Sequence, residues 1–458
     1  MIGRLALRSL TAHPVRSAVL AAGFGVGVAV MAILLGVAAI VLQQAQSPAL
    51  VGGGDVLVRL SDTVPARMLL AGTLQSRALR PRLTAASPYQ TGALYLLRDG
   101  GTTRVDARGG IPSLERALGD PETSQVDAWR DTPADETWVN TSPSGVLRQI
   151  DRFHPIPDVP RWANSWAEWL YFNGRTENAR FYLTFMVGPR TTGEMRGAGV
   201  RLQLDRDGHI ENYTGAAEIT DADALRAPDL TIGTNTVRLD DVTYTIQLDL
   251  VSARGERARG TIKLEASPGK LVPPVEIAGT GGWRTGYVVP VMSGTLDGSI
   301  DVGGTILPLR GTGYHDHNWG FWEGVSWQWG QGQSGDLSFL YGRVFAPVEA
   351  ADPGRIPGFV GVLGPDGPLG YATTVRITEQ NDGNGRPQRI SISGRSASLD
   401  VTAEFAVSSA VTTRSQQGPL ANQVDFLQLR GDYTVKGTAG DRQVQFTAPG
   451  AAETFRGR

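Results

Sequence analysis

At 458 residues the chain is too long for one compact core and should divide into two or three domains. Its 58 glycines and 27 prolines exclude a mainly helical body and point to strands and turns. A formal net charge of −2 gives no reason to expect nucleic acid as a partner, and the absence of cysteine excludes disulfides, zinc–thiolate centres and cysteine nucleophiles.

Residues 18–42, AVLAAGFGVGVAVMAILLGVAAIVL, carry no charge. As a helix they would run about 37 Å, enough to span a bilayer. The run exceeds the apolar core of a signal peptide, roughly 7–15 residues, and no small-x-small cleavage site follows it cleanly. An uncleaved anchor within residues 1–50 is therefore expected. Arg4, Arg8 and Arg16 precede it and the next basic residue is Arg59. That asymmetry places the N-terminus in the cytoplasm and the body outside, in the periplasm or at the cell surface. The stretch LALRSLTAHPVRSAVLAAGFGVGVAVMAILLG also resembles the first membrane segment of an FtsX-like ABC-transporter permease. The resemblance covers roughly the first 50 residues and implies permease and ATPase subunits as partners. No second apolar run of spanning length follows, so transport itself is not implied.

Residues 51–135 read as a small α/β segment. DVLVRL alternates like a strand, ARMLLAGTL and IPSLERAL read as short helices, and GALYLLRDGGTTRVDAR reads as a hairpin turning at Asp99-Gly100-Gly101. The polar run from Asp120 to Asp135 reads as a connector to the rest of the chain.

From residue 138 onward the pattern is strand, turn, strand. ARFYLTFMV, GVRLQLDRDGHIENY, NTVRLDDVTYTIQLDLVS and RGTIKLEAS alternate apolar and polar residues. A second series runs from LSFLYGRVF through LDVTAEFAV to FLQLRGDYTVKGTA. Two such series predict two antiparallel β domains, sandwich or barrel, over 136–310 and 311–458, with their junction near 300–315. Barrels of this size can enclose a cavity for one small apolar ligand.

Two motifs carry the chemistry. In SWAEWLYFNGR (165–175), an extended chain puts Trp166, Glu168 and Phe172 on one face and Trp169, Tyr171 and Asn173 on the other. In YHDHNWG (314–320), His315, His317 and Trp319 share one face, and Tyr314, Asp316 and Asn318 the other. Two histidines at i, i+2 can reach one metal. The third ligand would come from His154, His209, Glu168 or Glu323, and the spacing nominates none of them, so no metal is assigned. A structural role for the buried polar groups and proton transfer by Asp316, oriented by Tyr314 and the histidines, both remain open. G-x-S-x-G, P-loop and dinucleotide fingerprints are absent.

EWLYFNG at 168–174 and YHDHNWG at 314–320 together resemble the signatures of the carotenoid 1,2-hydratase (hydroxyneurosporene synthase)/AttH family, with Leu170 where the family has a second tryptophan. The resemblance spans about residues 136–458 and implies two lipocalin-like β domains behind the anchor and the small α/β segment. It implies either a hydro-lyase that adds water to an isoprenoid double bond without a cofactor, or an AttH-type protein associated with ABC transport. Carried onto this chain, it makes Asp316 the acid, with Tyr314, His315 and His317 completing a catalytic set. The ligand-binding positions it implies are Glu168, Trp169, Tyr171 and Asn173 in the first motif, Asn318 and Trp319 in the second, and Tyr287, Trp327 and Trp329 elsewhere. One departure stands out. Where the hydratases carry an upstream His-x-Trp pair, GWRTGYVVPVMSG (282–294) offers Tyr287 and Val289. The expected protein binds a long apolar isoprenoid or lipid and hydrates or isomerises a double bond by acid catalysis. The alternative is a non-enzymatic, lipid-binding accessory of an FtsX-like transport system.

Overall fold

The computed structural model describes scattered positions between 12 and 33, and residues 56–58, 66–75, 79–98, 101–119, 128–139, 142–206, 208–414 and 424–457. The expected anchor, 18–42, lies largely outside them. Among the described residues no helix is long and apolar enough to cross a membrane. The chain forms two compact units: Met1–Arg59 with Thr84–Thr132, and Leu60–Leu83 with Pro133–Arg458. In the first, β1 (Tyr89–Arg98) and β2 (Gly101–Gly110) form the expected hairpin, closing at Arg98 opposite Gly101. A short helix, Pro112–Ala117, follows. Its Glu115 is buried and is satisfied by the Ser87 hydroxyl and by Arg108.

The second unit begins with the helices Ala66–Gln75, Pro133–Val139 and Pro143–Ile150. Ser142 caps the last of these by accepting the Gly145 N–H at 3.0 Å, and proline occupies its first turn. Twelve strands follow: β3 (Trp166–Thr176), β4 (Ala179–Arg190), β5 (Met195–Arg206), β6 (His209–Thr220), β7 (Thr231–Ile232), β8 (Asn235–Asp240), β9 (Thr243–Ser252), β10 (Arg257–Ala266), β11 (Val272–Ala278), β12 (Arg284–Val302), β13 (Thr305–Pro308) and β14 (Gly311–Phe321). Eight of them close an antiparallel barrel in the order β3-β4-β5-β6-β9-β10-β12-β14 and back to β3. Period-2 alternation sets its inside: in β9, Tyr244, Ile246, Leu248 and Leu250 point inward between polar neighbours. Met68, Ala71, Val146, Leu147 and Ile150 of the helices join the same core. Residues 66–83 thus belong with the β body, and 51–135 is not one segment as expected. Met68, Leu70 and Ala71 of the helix Ala66–Gln75 are buried, and Met68 and Ala71 belong to the barrel core.

Nine strands make the second sheet: β15 (Ser326–Ser334), β16 (Leu337–Phe345), β17 (Phe359–Gly364), β18 (Gly367–Ala372), β19 (Thr374–Asn381), β20 (Pro387–Arg395), β21 (Leu399–Arg414), β22 (Val424–Ala439) and β23 (Arg442–Gly457). Their order is β18-β17-β16-β15-β23-β22-β21-β20-β19. The edge strands β18 and β19 are joined by Thr373 alone, so the sheet must curl until its edges meet. Phe339, Val360, Ile392, Phe405 and Tyr433 fill the resulting interior. The sequence reading began the second domain at residue 311, but β14 is a barrel strand, hydrogen-bonded to β3 on one side and β12 on the other. The junction is therefore the short link between β14 and β15.

A third apolar cluster lies between the two sheets. Tyr171, Tyr314, Val289 and Met292 of the barrel's outer face meet Trp329, Leu340 and Ala451 of the second sheet. Polar ties cross the same seam: the buried pair Asp205–Arg430, Gln333 Nε2 to the Met292 carbonyl at 2.7 Å, and Lys270 Nζ to the Asp336 carbonyl at 3.1 Å. Both interiors are packed with side chains, and a cavity lies between the two sheets. This departs from the expected calyx, because large residues such as Phe172, Tyr244, Phe405 and Tyr433 fill the insides.

Candidate functional site

Strand β14 divides the chemistry. It pairs with β3 so that Tyr314 faces Asn173, Asp316 faces Tyr171 and Asn318 faces Trp169 on the outer face. On the inner face His315 faces Phe172, His317 faces Leu170 and Trp319 faces Glu168. The fit is tight. A Cβ at Gly286, opposite Trp319 on β12, would fall inside the indole.

The outer face looks into a cavity of about 230 Å³ between the sheets. The barrel supplies Trp169, Tyr171, Tyr287, Asp316 and Asn318, and β11 adds Glu276. The second sheet supplies Trp327, Trp329, Phe359, Tyr371 and Glu453. Trp169, Trp322 and Trp327 form one aromatic cluster, with ring centroids 4.6 to 6.3 Å apart. Tyr287 and Phe359 stack at 5.8 Å on another wall.

A hydrogen-bond chain converges on Asp316. The Tyr314 hydroxyl donates to Asp316 Oδ2 at 2.9 Å, and Asn318 Nδ2 donates to Oδ1 at 2.7 Å. The Tyr287 and Tyr314 hydroxyls lie 2.7 Å apart, and Trp329 Nε1 donates to the Tyr287 oxygen at 3.0 Å. Burial pushes the Asp316 carboxyl well above the usual carboxylate range, and the negative charge of Glu453 pushes it further. The bonds from Tyr314 and Asn318 oppose that rise without cancelling it. Burial also raises the phenols of Tyr171, Tyr287 and Tyr314, so they stay neutral donors. The result is a carboxyl that holds its proton more tightly than usual at the wall of an aromatic cavity, a geometry suited to general-acid chemistry. Glu453 is buried too, and burial raises it. Trp327, Gln428, Arg201 and Tyr171 pull it back towards the anion.

The inner face holds a different network. His315 Nε2 bonds Asp151 Oδ2 at 2.9 Å, and its Nδ1 meets the Tyr171 carbonyl at 3.0 Å. His317 Nε2 lies 2.8 Å from Glu168 Oε1, and its Nδ1 lies 3.3 Å from Asp151 Oδ1. His154 Nδ1 lies 2.7 Å from Glu168 Oε1. Burial alone would lower the His317 pKa, but bonds to Asp151 and Glu168 and their charges raise it to about 9. Burial would raise Asp151 and Glu168, and the histidines instead hold both below their ordinary values. His154, Glu168 and His317 each offer one donor atom within 4.8 Å of the others, the set that could hold a metal. Here Glu168 Oε1 bonds both His154 Nδ1 and His317 Nε2. They act as histidine–carboxylate pairs.

No family model matches the chain, and no curated protein matches it. Among solved structures it is similar to a putative AttH from Nitrosomonas europaea, at 15% identity and a TM-score of 0.41, over 64% of this chain and 92% of that one. It is also similar to CghA in complex with Sch210972, at 13% identity and a TM-score of 0.38, over 69% of this chain and 96% of that one.

The structure brings Trp169, Tyr171, Tyr287, Asp316, Asn318, Trp327 and Trp329 to one cavity, and Tyr314 stands behind Asp316. Five of the expected positions lie elsewhere. His315, His317, Glu168 and Trp319 face the barrel interior and have no path to Asp316's side of the strand. Alternation forces this, because consecutive side chains point to opposite faces. Trp319 stacks on His154 at 4.5 Å instead of lining the cavity. Asn173 sits on the outer face but accepts a bond from Gln331 at 3.3 Å between the sheets. Sequence reading missed Glu276, Asp151 and Glu453. Glu453 lies on β23, where Pro449-Gly450 interrupts the apolar–polar alternation that QVQF begins. Gly450 is required there, since a Cβ would run into the Gln331 carbonyl and the Tyr433 ring.

Proposed function

We propose that the cavity binds a long apolar isoprenoid or lipid and that Asp316 protonates a double bond of it. The neutral Asp316 carboxyl at the wall of the aromatic cavity carries this reading. The acid gives its proton to one alkene carbon, and the π pair becomes the new C–H bond. The other carbon takes the positive charge, which faces the indoles of Trp169, Trp327 and Trp329. Addition of water with loss of its proton gives an alcohol, and loss of a neighbouring C–H proton gives the isomer. Each outcome returns one proton and needs no redox cofactor. Tyr287 stands where the hydratases have histidine. It joins the Asp316 chain through Tyr314, so the same position stays in hydrogen-bond contact with the acid. The reading places the protein in the carotenoid hydratase/AttH group with lipocalin-like domains.

A membrane anchor with an extracytoplasmic body is part of the proposal. It is supported by the uncharged run 18–42 and by the exposed apolar side chains of Val19, Phe24, Met31 and Ile33. The second reading, an accessory that hands lipid to an FtsX-like transporter, is supported by the same segment and its permease-like sequence.

The test is mass spectrometry of the organic extract from full-length protein purified in mild detergent. An apolar ligand should co-purify in near-stoichiometric amount. Protein that carries none and binds no offered isoprenoid would sink the ligand reading. Turnover of an offered isoprenoid that survives in Asp316→Asn would remove Asp316 as the acid. Co-purification of permease and ATPase subunits without any turnover would favour the accessory role.

A further inference from the structure

Two carboxyl groups of the cavity lie outside both sequence motifs. Glu453 stands opposite Trp329 in the β15–β23 ladder, and its Oε2 accepts the Trp327 indole N–H at 3.1 Å. Arg201, on the outer face of the barrel, adds its charge to Glu453. These groups oppose the rise that burial gives the Glu453 carboxyl. Glu276, on β11, reaches the cavity from the barrel side, and both of its carboxylate oxygens are buried without a hydrogen-bond partner. Buried polar oxygens without donors are costly unless a ligand group satisfies them. Among the described residues the cavity has one guanidinium, Arg343, which lies over the Phe345 ring at 4.9 Å and donates from one terminal nitrogen to the Pro353 carbonyl, while its Nε has no partner. Asp316, Glu276 and Glu453 thus outnumber the basic groups of the described lining, which also carries Trp169, Trp327 and Trp329.

We propose that this cavity is an organic-cation site, in which Glu276 and Glu453 supply the counter-charge and Trp169, Trp327 and Trp329 supply π faces, for a ligand that is positively charged or becomes so during reaction. The proposal rests on the reading of the cavity as a ligand site and narrows its substrate class. A neutral lipid that stays neutral would meet desolvated carboxylates at no gain. A quaternary ammonium, or a tertiary carbocation formed after proton transfer from Asp316, would meet an anion and an aromatic face together.

The test uses octyltrimethylammonium and octanol as probes, both below micelle-forming concentrations, with the full-length protein and its tryptophan fluorescence as readout. Wild type should bind the ammonium at least tenfold more tightly than the alcohol. Glu276→Gln should weaken the ammonium about tenfold and leave octanol within about twofold. Glu453→Gln should do the same. Because Glu453 holds Trp327, its melting curve is recorded alongside, and Glu276→Gln decides the matter if the Glu453 variant fails to fold. Equal affinities for the two probes in wild type, or equal weakening of both by Glu276→Gln, would overturn the cation site while leaving the apolar-ligand reading intact. Binding of neither probe would overturn both.

Discussion

The two faces of β14 carry similar side chains and do opposite things with them. Inside the barrel, Asp151, Glu168, His154, His315 and His317 sit at 0 to 6% exposure, and acid meets base at nearly every contact. Desolvation there is repaid by pairing, so charges persist in the core. Outside, Asp316 is buried just as deeply but hydrogen-bonds only the neutral donors Tyr314 and Asn318, and the charge of Glu453 acts on it more strongly than that of His317. Its charge is suppressed and its proton retained. The lesson is that burial does not decide whether an acid is structural or reactive. The sign of what lies within hydrogen-bond reach decides it.

Changes to the two faces should therefore part stability from function. Glu168→Ala should have the largest effect. It strips His154 and His317 of their shared carboxylate and should cost on the order of 3–5 kcal/mol in denaturant unfolding. A loss under about 1 kcal/mol would mean that the inner network does not hold the barrel.

Next in size is the pH dependence of the same network. His317 has a folded pKa of about 9, above its ordinary 6.5, so its contribution is complete below 6.5 and is lost as pH rises through about 9. That loss is on the order of 3 kcal/mol by linkage. Asp151 and Glu168 are held below their ordinary values, so their share is present above about 4.5 and fades as pH falls. Melting temperature against pH should show a plateau between these limits. In His317→Gln the alkaline decline should disappear.

Asp316→Asn reverses the pattern. Turnover of an isoprenoid should fall about 100-fold or more. Stability should stay within about 1 kcal/mol or rise, because a buried carboxyl is replaced by a neutral isostere. A large stability loss in this variant would erase the distinction between the faces.

Tyr287→Phe is the mildest change. It removes one link of the chain to Asp316 and leaves the Trp329 N–H without its acceptor. It should cost about 1 kcal/mol of stability and lower turnover more than ligand affinity, which steady-state rates and fluorescence titration would separate.

Much of the fold was legible because most strands alternate cleanly. The hairpin at 89–110 and the helix at 66–75 were readable for the same reason, from turn residues and apolar spacing. Strands interrupted by proline were harder. Pro273-Pro274 in β11 and Pro290 in β12 coincide with shifts of register in their ladders, and Pro449 lies just beyond the β15–β23 ladder. Those irregular strands carry Glu276 and Glu453, which were missed, and Tyr287, which was named only through the family resemblance. Asp151 was not readable, and His154 only as one of four candidate third ligands, for another reason. They lie in a loop, and only the chain path around the barrel brings them to Glu168 and His317.

By itself the sequence determined which residues share a face. Two-residue periodicity links Tyr314 with Asp316 and Asn318, and His315 with His317 and Trp319, wherever the strand is placed. It also determined the chemistry available, since acids, imidazoles and indoles are concentrated in two short motifs. Periodicity is symmetric between the two faces, however, and does not say which one looks inward. The tertiary structure decided that. Closure of β14 between β3 and β12 turned the histidines into the core. Packing of the second sheet on the outer face then desolvated Asp316 and brought Glu453 across to it. A pKa depends on what surrounds a group in three dimensions, and those surroundings arrive from strands more than a hundred residues apart.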